Sequence, residues 1–335
     1  MALHRSSLPQ LSGGDFLTDG GLETSLVFHH GIDLPCFAAF PLVMSEGGRK
    51  TLRGYFKPYL ETAKKRNIGF ILDTVTWRTN TDWGARLGYS LQDLAEVQRM
   101  SVMFACELRD DYATERTPII INGILGPRGD GYKADATMTA GEAEQYHAPQ
   151  IEVFRDTAAD MVSAMTLTYP EEAIGIVRAA QAHGMPVAIS FTLETDGRLP
   201  SGHTLEEAIR RVDATTGSGP IYYMINCAHP THFESTVMSA GAWRERIKGI
   251  RANASSLSHA ELDAATELDP GDPEDLGRRY RALRDELTQM RILGGCCGTD
   301  HRHIIAICEA CNPSATRSSD TFARRRDEEE IATTL

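Results

Sequence analysis

Short apolar runs rich in β-branched residues alternate along this chain with longer stretches of helical period. The runs are Phe16–Asp19, Phe70–Thr76, Pro118–Leu125, Met161–Met165, Pro186–Leu193, Ile221–Cys227, Ile247–Ala252 and Arg291–Gly294. Most are continuously apolar rather than alternating, which suits strands buried on both faces of a parallel sheet. Between them, Thr51–Arg66 repeats its apolar residues at helical spacing, with Leu52, Tyr55, Phe56, Tyr59, Leu60 and Ala63 on one face and Lys57, Lys64 and Lys65 off it. Pro170–His183 and Pro273–Gln289 carry similar stripes, and Gly184 supplies a stop after the former.

Eight strand–helix alternations within about 310 residues predict an α/β fold, a (β/α)8 TIM barrel forming a single domain over residues 1–312. An open, doubly wound sheet is the alternative arrangement of the same elements. Residues 313–335 have no sustained apolar face; Arg324–Arg326 is followed directly by the acidic run Asp327–Glu330. That segment reads as a mobile C-terminal tail.

Composition adds little to this picture. The chain has 335 residues, 41% of them apolar, enough for one large core. The formal net charge of -12 argues against a nucleic-acid partner. No apolar stretch is long enough to span a bilayer, and the segment from Met1 to Gln10 lacks the apolar region of a secretory signal. A cytoplasmic location is expected, with small molecules as partners; association with further copies of the chain stays open.

In a reducing compartment, clustered cysteines serve metal binding or catalysis more often than disulfides. Of the seven, Cys227 ends the sixth predicted strand, and Cys296 and Cys297 end the eighth, flanked by Gly294, Gly295 and Gly298. A barrel gathers the C-terminal ends of its strands on one face, where active sites sit. Three thiolates there suit zinc and leave a fourth position open, the catalytic rather than the structural arrangement. A buried redox pair at Cys296 and Cys297 is the competing reading. Cys308 and Cys311 share a face of the predicted helix Asp300–Cys311 and read as core, while Cys36 and Cys106 read as structural.

Asp19-Gly20-Gly21 closes the first strand, where Asp19 either caps a helix or takes a substrate ammonium. Trp77 and Arg78, at the end of the second strand, are candidates for lining a pocket. The glycine-rich Gly123–Gly131 fits no nucleotide-binding pattern and reads as a loop shaping the rim. His229 either orients a group near the cysteines or is a satisfied histidine.

These motifs resemble the homocysteine S-methyltransferase family over roughly residues 11–311. Asp19-Gly-Gly-Leu-Glu-Thr24 is similar to its opening DGG-x-x-T, Gly123-Ile-Leu-Gly-Pro127 to its third-strand loop, Asn226-Cys227 to its NC motif, and Gly294-Gly-Cys-Cys-Gly-Thr299 to its GGCCGT motif. The resemblance implies zinc on Cys227, Cys296 and Cys297 and methyl transfer to the thiol of homocysteine, giving methionine. It also implies a substrate pocket that includes Asp19, Gly20, Gly21, Trp77, Met165 and Asn226, with Asp19 holding an amino group. A chain of one barrel favours a free sulfonium donor, S-methylmethionine or S-adenosylmethionine. Betaine, another thiol acceptor, or a non-catalytic zinc or redox-sensing barrel are the alternatives. One position departs from the family pattern. Met165 stands where family members carry a glutamate that grips the substrate ammonium, and methionine cannot make that pair. Either Asp19 and others suffice, or the acceptor is a different thiol.

Overall fold

The computed structural model describes residues 1–135 and 137–312, so the tail expected over 313–335 lies outside the described residues. Eight parallel strands close a barrel in sequence order: β1 (Phe16–Leu17), β2 (Gly69–Asp73), β3 (Ile119–Leu125), β4 (Met161–Leu167), β5 (Val187–Phe191), β6 (Tyr222–Asn226), β7 (Ile247–Ala252) and β8 (Ile292–Gly295). Every predicted run overlaps one of them, with ends shifted by one to three residues in several, and the open-sheet alternative is excluded by closure: β1 pairs with both β2 and β8, with Phe16 beside Gly69 and Ile292.

Two apolar layers explain the continuous runs. Phe16, Ile71, Ile120, Met161, Tyr222, Met224 and Ile292 fill the barrel interior, while the alternate residues pack under the helices. The helix predicted from Thr51 begins earlier, at Glu46, because Ser45 caps it by accepting from the Gly48 amide (3.0 Å). It ends at Arg66, as the pattern predicts; the other two main stripes stop within a few residues of their expected ends, at Ala182 and Glu286. At the strands' N-terminal ends, Leu8 and Gln10 are buried beneath the barrel. The fully buried Asp160 pins this segment by accepting from the amides of Leu3 (2.8 Å), His4 (2.7 Å) and Ile121 (2.9 Å).

Strand β2 is shorter than predicted. Past Asp73 the Thr74 amide still donates to the Asn122 carbonyl (2.9 Å), and threonine side chains then take over the pairing: Thr74 Oγ1 accepts from the Ile124 amide (3.0 Å), and Thr76 Oγ1 donates to the Ile124 carbonyl (2.7 Å). Trp77 and Arg78 therefore stand on a loop above the strand ends, not on the strand itself.

Candidate active site

The three thiols meet at the C-terminal rim. Cys227 follows β6 with φ of +55°, a left-handed turn that swings its sulfur inward. That turn is held from three sides: the Cys227 amide donates to the Arg251 carbonyl (3.2 Å), its carbonyl accepts from Thr192 Oγ1 (3.3 Å), and His259 Nε2 lies 2.7 Å from the same carbonyl. Cys296 and Cys297 follow β8 in a tight turn, closed by the Thr299 amide on the Cys296 carbonyl (3.1 Å) and by Ala254 on the Cys297 carbonyl (3.0 Å). Gly298 supplies the positive φ (+79°) that the turn needs, whereas Gly294 and Gly295 keep ordinary strand conformation. Gly21 lies so close to this turn that a Cβ would stand 2.6 Å from the Cys296 carbonyl oxygen. Gly20 and Gly21 thus do more than line the pocket: they let β1 dock against the cysteine turn.

The sulfurs of Cys227, Cys296 and Cys297 all lie within 4.8 Å of one another, and the Cys227–Cys297 separation is 3.8 Å. Tetrahedral coordination with Zn–S bonds of about 2.3 Å places ligand sulfurs about 3.8 Å apart, so the donor set fits zinc in number, chemistry and spacing. Among themselves the three thiols support one ionised sulfur. Cys296 is held well below its ordinary pKa by hydrogen bonds from Cys227 and Cys297 and by the nearby Arg251, and the other two are pushed up.

Asn226 organises the rim behind the sulfurs. Its Oδ1 accepts from the Thr166 amide (2.9 Å) and Ser190 Oγ (2.6 Å), and its Nδ2 donates to Thr166 Oγ1 (2.8 Å) and faces Cys296 Sγ (3.8 Å). Thr166 is itself left-handed (φ +63°), so the end of β4 is bent by the same network. On the far side the Tyr132 hydroxyl donates to Cys297 Sγ (3.5 Å), and its ring stacks on His259 with centroids 4.0 Å apart.

A cavity of about 510 Å³ opens onto the thiols, and Asp19, Gly20, Gly21, Trp77, Met165 and Asn226 all border it. Asp19, however, is already engaged. Arg251 Nη2 donates to Asp19 Oδ1 (2.6 Å), and the Tyr55 hydroxyl donates to Oδ2 (3.0 Å). Arg251 also pairs with Asp73, which accepts from Asn122 Nδ2 (2.8 Å). Burial raises the Asp19 carboxyl to about 6 against the pull of Arg251. Met165 presents an uncharged side chain, buried to 6% exposure, and its carbonyl lies 3.4 Å from Trp77 Nε1.

Other candidates fall elsewhere. His229 caps the helix Pro230–Met238, its Nδ1 bonded to Thr231 Oγ1 (2.8 Å), and burial lowers its pKa to about 4; it does not border the cavity. Cys308 and Cys311 are core residues with thiols raised to about 11 by burial. Cys36, read from the sequence as structural, is instead exposed at the cavity. It follows Pro35 in a left-handed conformation (φ +57°), which turns it out of the core.

Several residues at the site escaped the sequence reading. Asp73 is a charge closing an otherwise apolar strand and Arg251 a charge near the end of β7, and those positions were the available signal. Glu23 sits inside the Asp19–Thr24 motif but was passed over. Tyr132 comes from a loop that carries no local mark, and Tyr55, legible as part of an apolar helix face, gave no sign that its hydroxyl reaches Asp19.

The comparisons agree with this geometry. The homocysteine S-methyltransferase family matches residues 16–311. Betaine–homocysteine S-methyltransferase 1 of Rattus norvegicus is 24% identical over 261 residues, which are 72% of this chain and 61% of that protein, so the chain spans somewhat under two thirds of that relative's length. Homocysteine S-methyltransferase 3 of Arabidopsis thaliana is 21% identical over 92% of both chains. The oxidised form of homocysteine methyltransferase MmuM from Escherichia coli shares the fold, with a TM-score of 0.71 at 18% identity over 89% of this chain and 96% of that one. This chain belongs to the homocysteine S-methyltransferase family.

Proposed function

We propose that the chain transfers a methyl group from a sulfonium donor, S-methylmethionine or S-adenosylmethionine, to the thiol of homocysteine, giving methionine, with zinc held by Cys227, Cys296 and Cys297. The observation that carries this reading is the convergence of three sulfurs, two of them 3.8 Å apart, on the rim of a barrel cavity. Family membership supports it.

A thiol of ordinary pKa, about 8.5, is mostly protonated near neutrality. Zinc, when bound, supplies the acidity that makes an acceptor thiol a thiolate. The acceptor sulfur then forms a bond to the methyl carbon as the donor's C–S bond breaks, and the electron pair of that bond leaves with the donor sulfur, now a neutral thioether. Because the leaving group is neutral, no side chain has to deliver a proton to it. What the chain's residues contribute is alignment. Asn226 and Thr166 fix the rim behind Cys296, and Tyr132 and His259 support Cys297 and Cys227.

Methyl transfer by the reduced, zinc-loaded protein tests this, using S-methylmethionine, S-adenosylmethionine and betaine against a panel of thiols. Turnover with homocysteine and a sulfonium donor, abolished in Cys296→Ala, is the expected result. Turnover that persists in Cys296→Ala overturns the metal-centred reading. Betaine is the second donor reading, favoured by betaine-dependent enzymes among the relatives; turnover with betaine alone selects it. Bound zinc with no turnover and no response to thiols selects the non-catalytic barrel.

A further inference from the structure

The cavity's ionisable groups divide into those already neutralised and those not. Asp19 and Asp73 share Arg251. Asp263 pairs with Lys133 (3.8 Å), and Asp269 accepts from Ser255 Oγ (2.6 Å). Asp130 accepts from the Tyr132 amide (2.7 Å), and Glu267 lies exposed at the mouth. Two largely buried groups of opposite sign have no ion pair in contact among the described residues, although Asp130 and Glu23 both lie near enough to Arg78 for their charges to interact. Glu23, on the short turn after Gly21, is largely buried and has no ion pair or side-chain hydrogen bond among the described residues; it lies near enough to Cys296 for their charges to interact. Arg78 is only 7% exposed, and among the described residues it has no ion pair and its buried Nε has no partner.

Arg78 is also immobilised. Its guanidinium lies over the rings of Trp77 (3.9 Å) and Trp83 (3.8 Å), and Nη1 reaches the Gly129 carbonyl (3.3 Å). An arginine held between two aromatic faces is a preorganised, planar cation, suited to a carboxylate. Partly buried charges without counter-ions are costly, and a ligand that supplies the counter-charges recovers that cost. A ligand with an ammonium and a carboxylate on one carbon offers a partner to each charge at once.

We propose that Glu23 and Arg78 select an α-amino-acid thiol as acceptor, Glu23 receiving its ammonium and Arg78 its carboxylate. This deepens the methyl-transfer reading and rests on it for the role of the bound thiol. It assigns the ammonium to a carboxylate that is free to take it, unlike Asp19, and leaves Met165 as apolar wall beside the ligand's carbon chain.

Equilibrium binding to the reduced full-length protein tests the pair with three probes: homocysteine, 4-mercaptobutanoate, which lacks the ammonium, and 3-mercaptopropylamine, which lacks the carboxylate. Wild type should bind homocysteine tightest. Glu23→Gln should weaken homocysteine and 3-mercaptopropylamine by about 10- to 100-fold and leave 4-mercaptobutanoate unchanged. Arg78→Met should weaken homocysteine and 4-mercaptobutanoate and spare the amine, with Arg78→Lys intermediate. Thermal melting of each variant checks that it folds, and the wild-type ranking of the probes is informative whichever variant fails. Equal binding of all three probes by wild type, or uniform weakening by either substitution, overturns the proposal. The crossed pattern without methyl transfer to any thiol would overturn the proposed reaction while leaving the charge pair standing; turnover without the crossed pattern would do the reverse.

Discussion

At the scale of single residues, the rim holds charges where an ordinary core would not. Glu23 is the clearest case: burial raises its carboxyl from 4.5 to about 7. A carboxyl that binds its proton more tightly in the folded state contributes stability that is fully present below its unfolded pKa and is lost as the pH climbs through the folded one. Glutamine at this position has no such dependence. The melting temperature of Glu23→Gln relative to wild type should therefore rise between about pH 4.5 and about pH 7. The corresponding difference in unfolding free energy should reach on the order of 2 kcal/mol once partial exposure of the side chain is allowed for. Parallel melting curves across that range would show that Glu23 carries no buried charge. A residue that lowers stability near neutrality and borders the cavity fits the common trade of stability for binding.

At the scale of elements, the thiols are set by how strands end rather than by how they run. Strands β4 and β6 finish in left-handed residues, Thr166 and Cys227, and Asn226 ties the two ends together through Thr166 and Ser190. Asn226→Ala would leave the buried Thr166 amide and two hydroxyls without their partner. Denaturant unfolding should register a loss of about 2–3 kcal/mol. Zinc affinity, measured by competition with a chelator, should fall by about 10- to 100-fold, because groups behind a ligand orient it. Wild-type affinity in this variant would mean that the backbone alone holds the cysteines. The glycine-rich loop after β3 acts at the same scale: carbonyls of Pro127 and Gly129 accept from Asn80 (2.8 Å) and Trp83 (3.2 Å), which fixes the wall carrying Arg78.

At the scale of the whole molecule, closure of the barrel is what makes the site. Asp19, Asp73, Arg251 and the three cysteines come from β1, β2, β6, β7 and β8 or the turns after them, and they touch because β8 closes onto β1. The core beneath them is continuous and does not depend on the thiols. If the proposed zinc site is loaded, a chelator should lower the melting temperature in proportion to metal bound, by the usual linkage, yet leave the far-UV circular dichroism of a folded barrel. Loss of secondary structure on chelation would make the metal part of the fold itself, as in small zinc modules.

The order of strands and helices, the three-cysteine centre and the family motifs were legible in the sequence because each rests on local pattern: buried parallel strands are continuously apolar, and a turn that brings adjacent cysteines to one rim calls for glycine nearby. Pairing of charges was not legible, because partners such as Arg251 and Asp19 are 232 positions apart. That separation hid the occupation of Asp19, whereas the stacking of Arg78 on its neighbour Trp77, the capping of the following helix by His229 and the left-handed turn that sets Cys36 at the cavity are local features that residue type alone does not single out. The fold also left Glu23 and Arg78 as largely buried cavity charges without an ion pair among the described residues, an outcome set by barrel closure and by burial, neither of which any stretch of sequence contains.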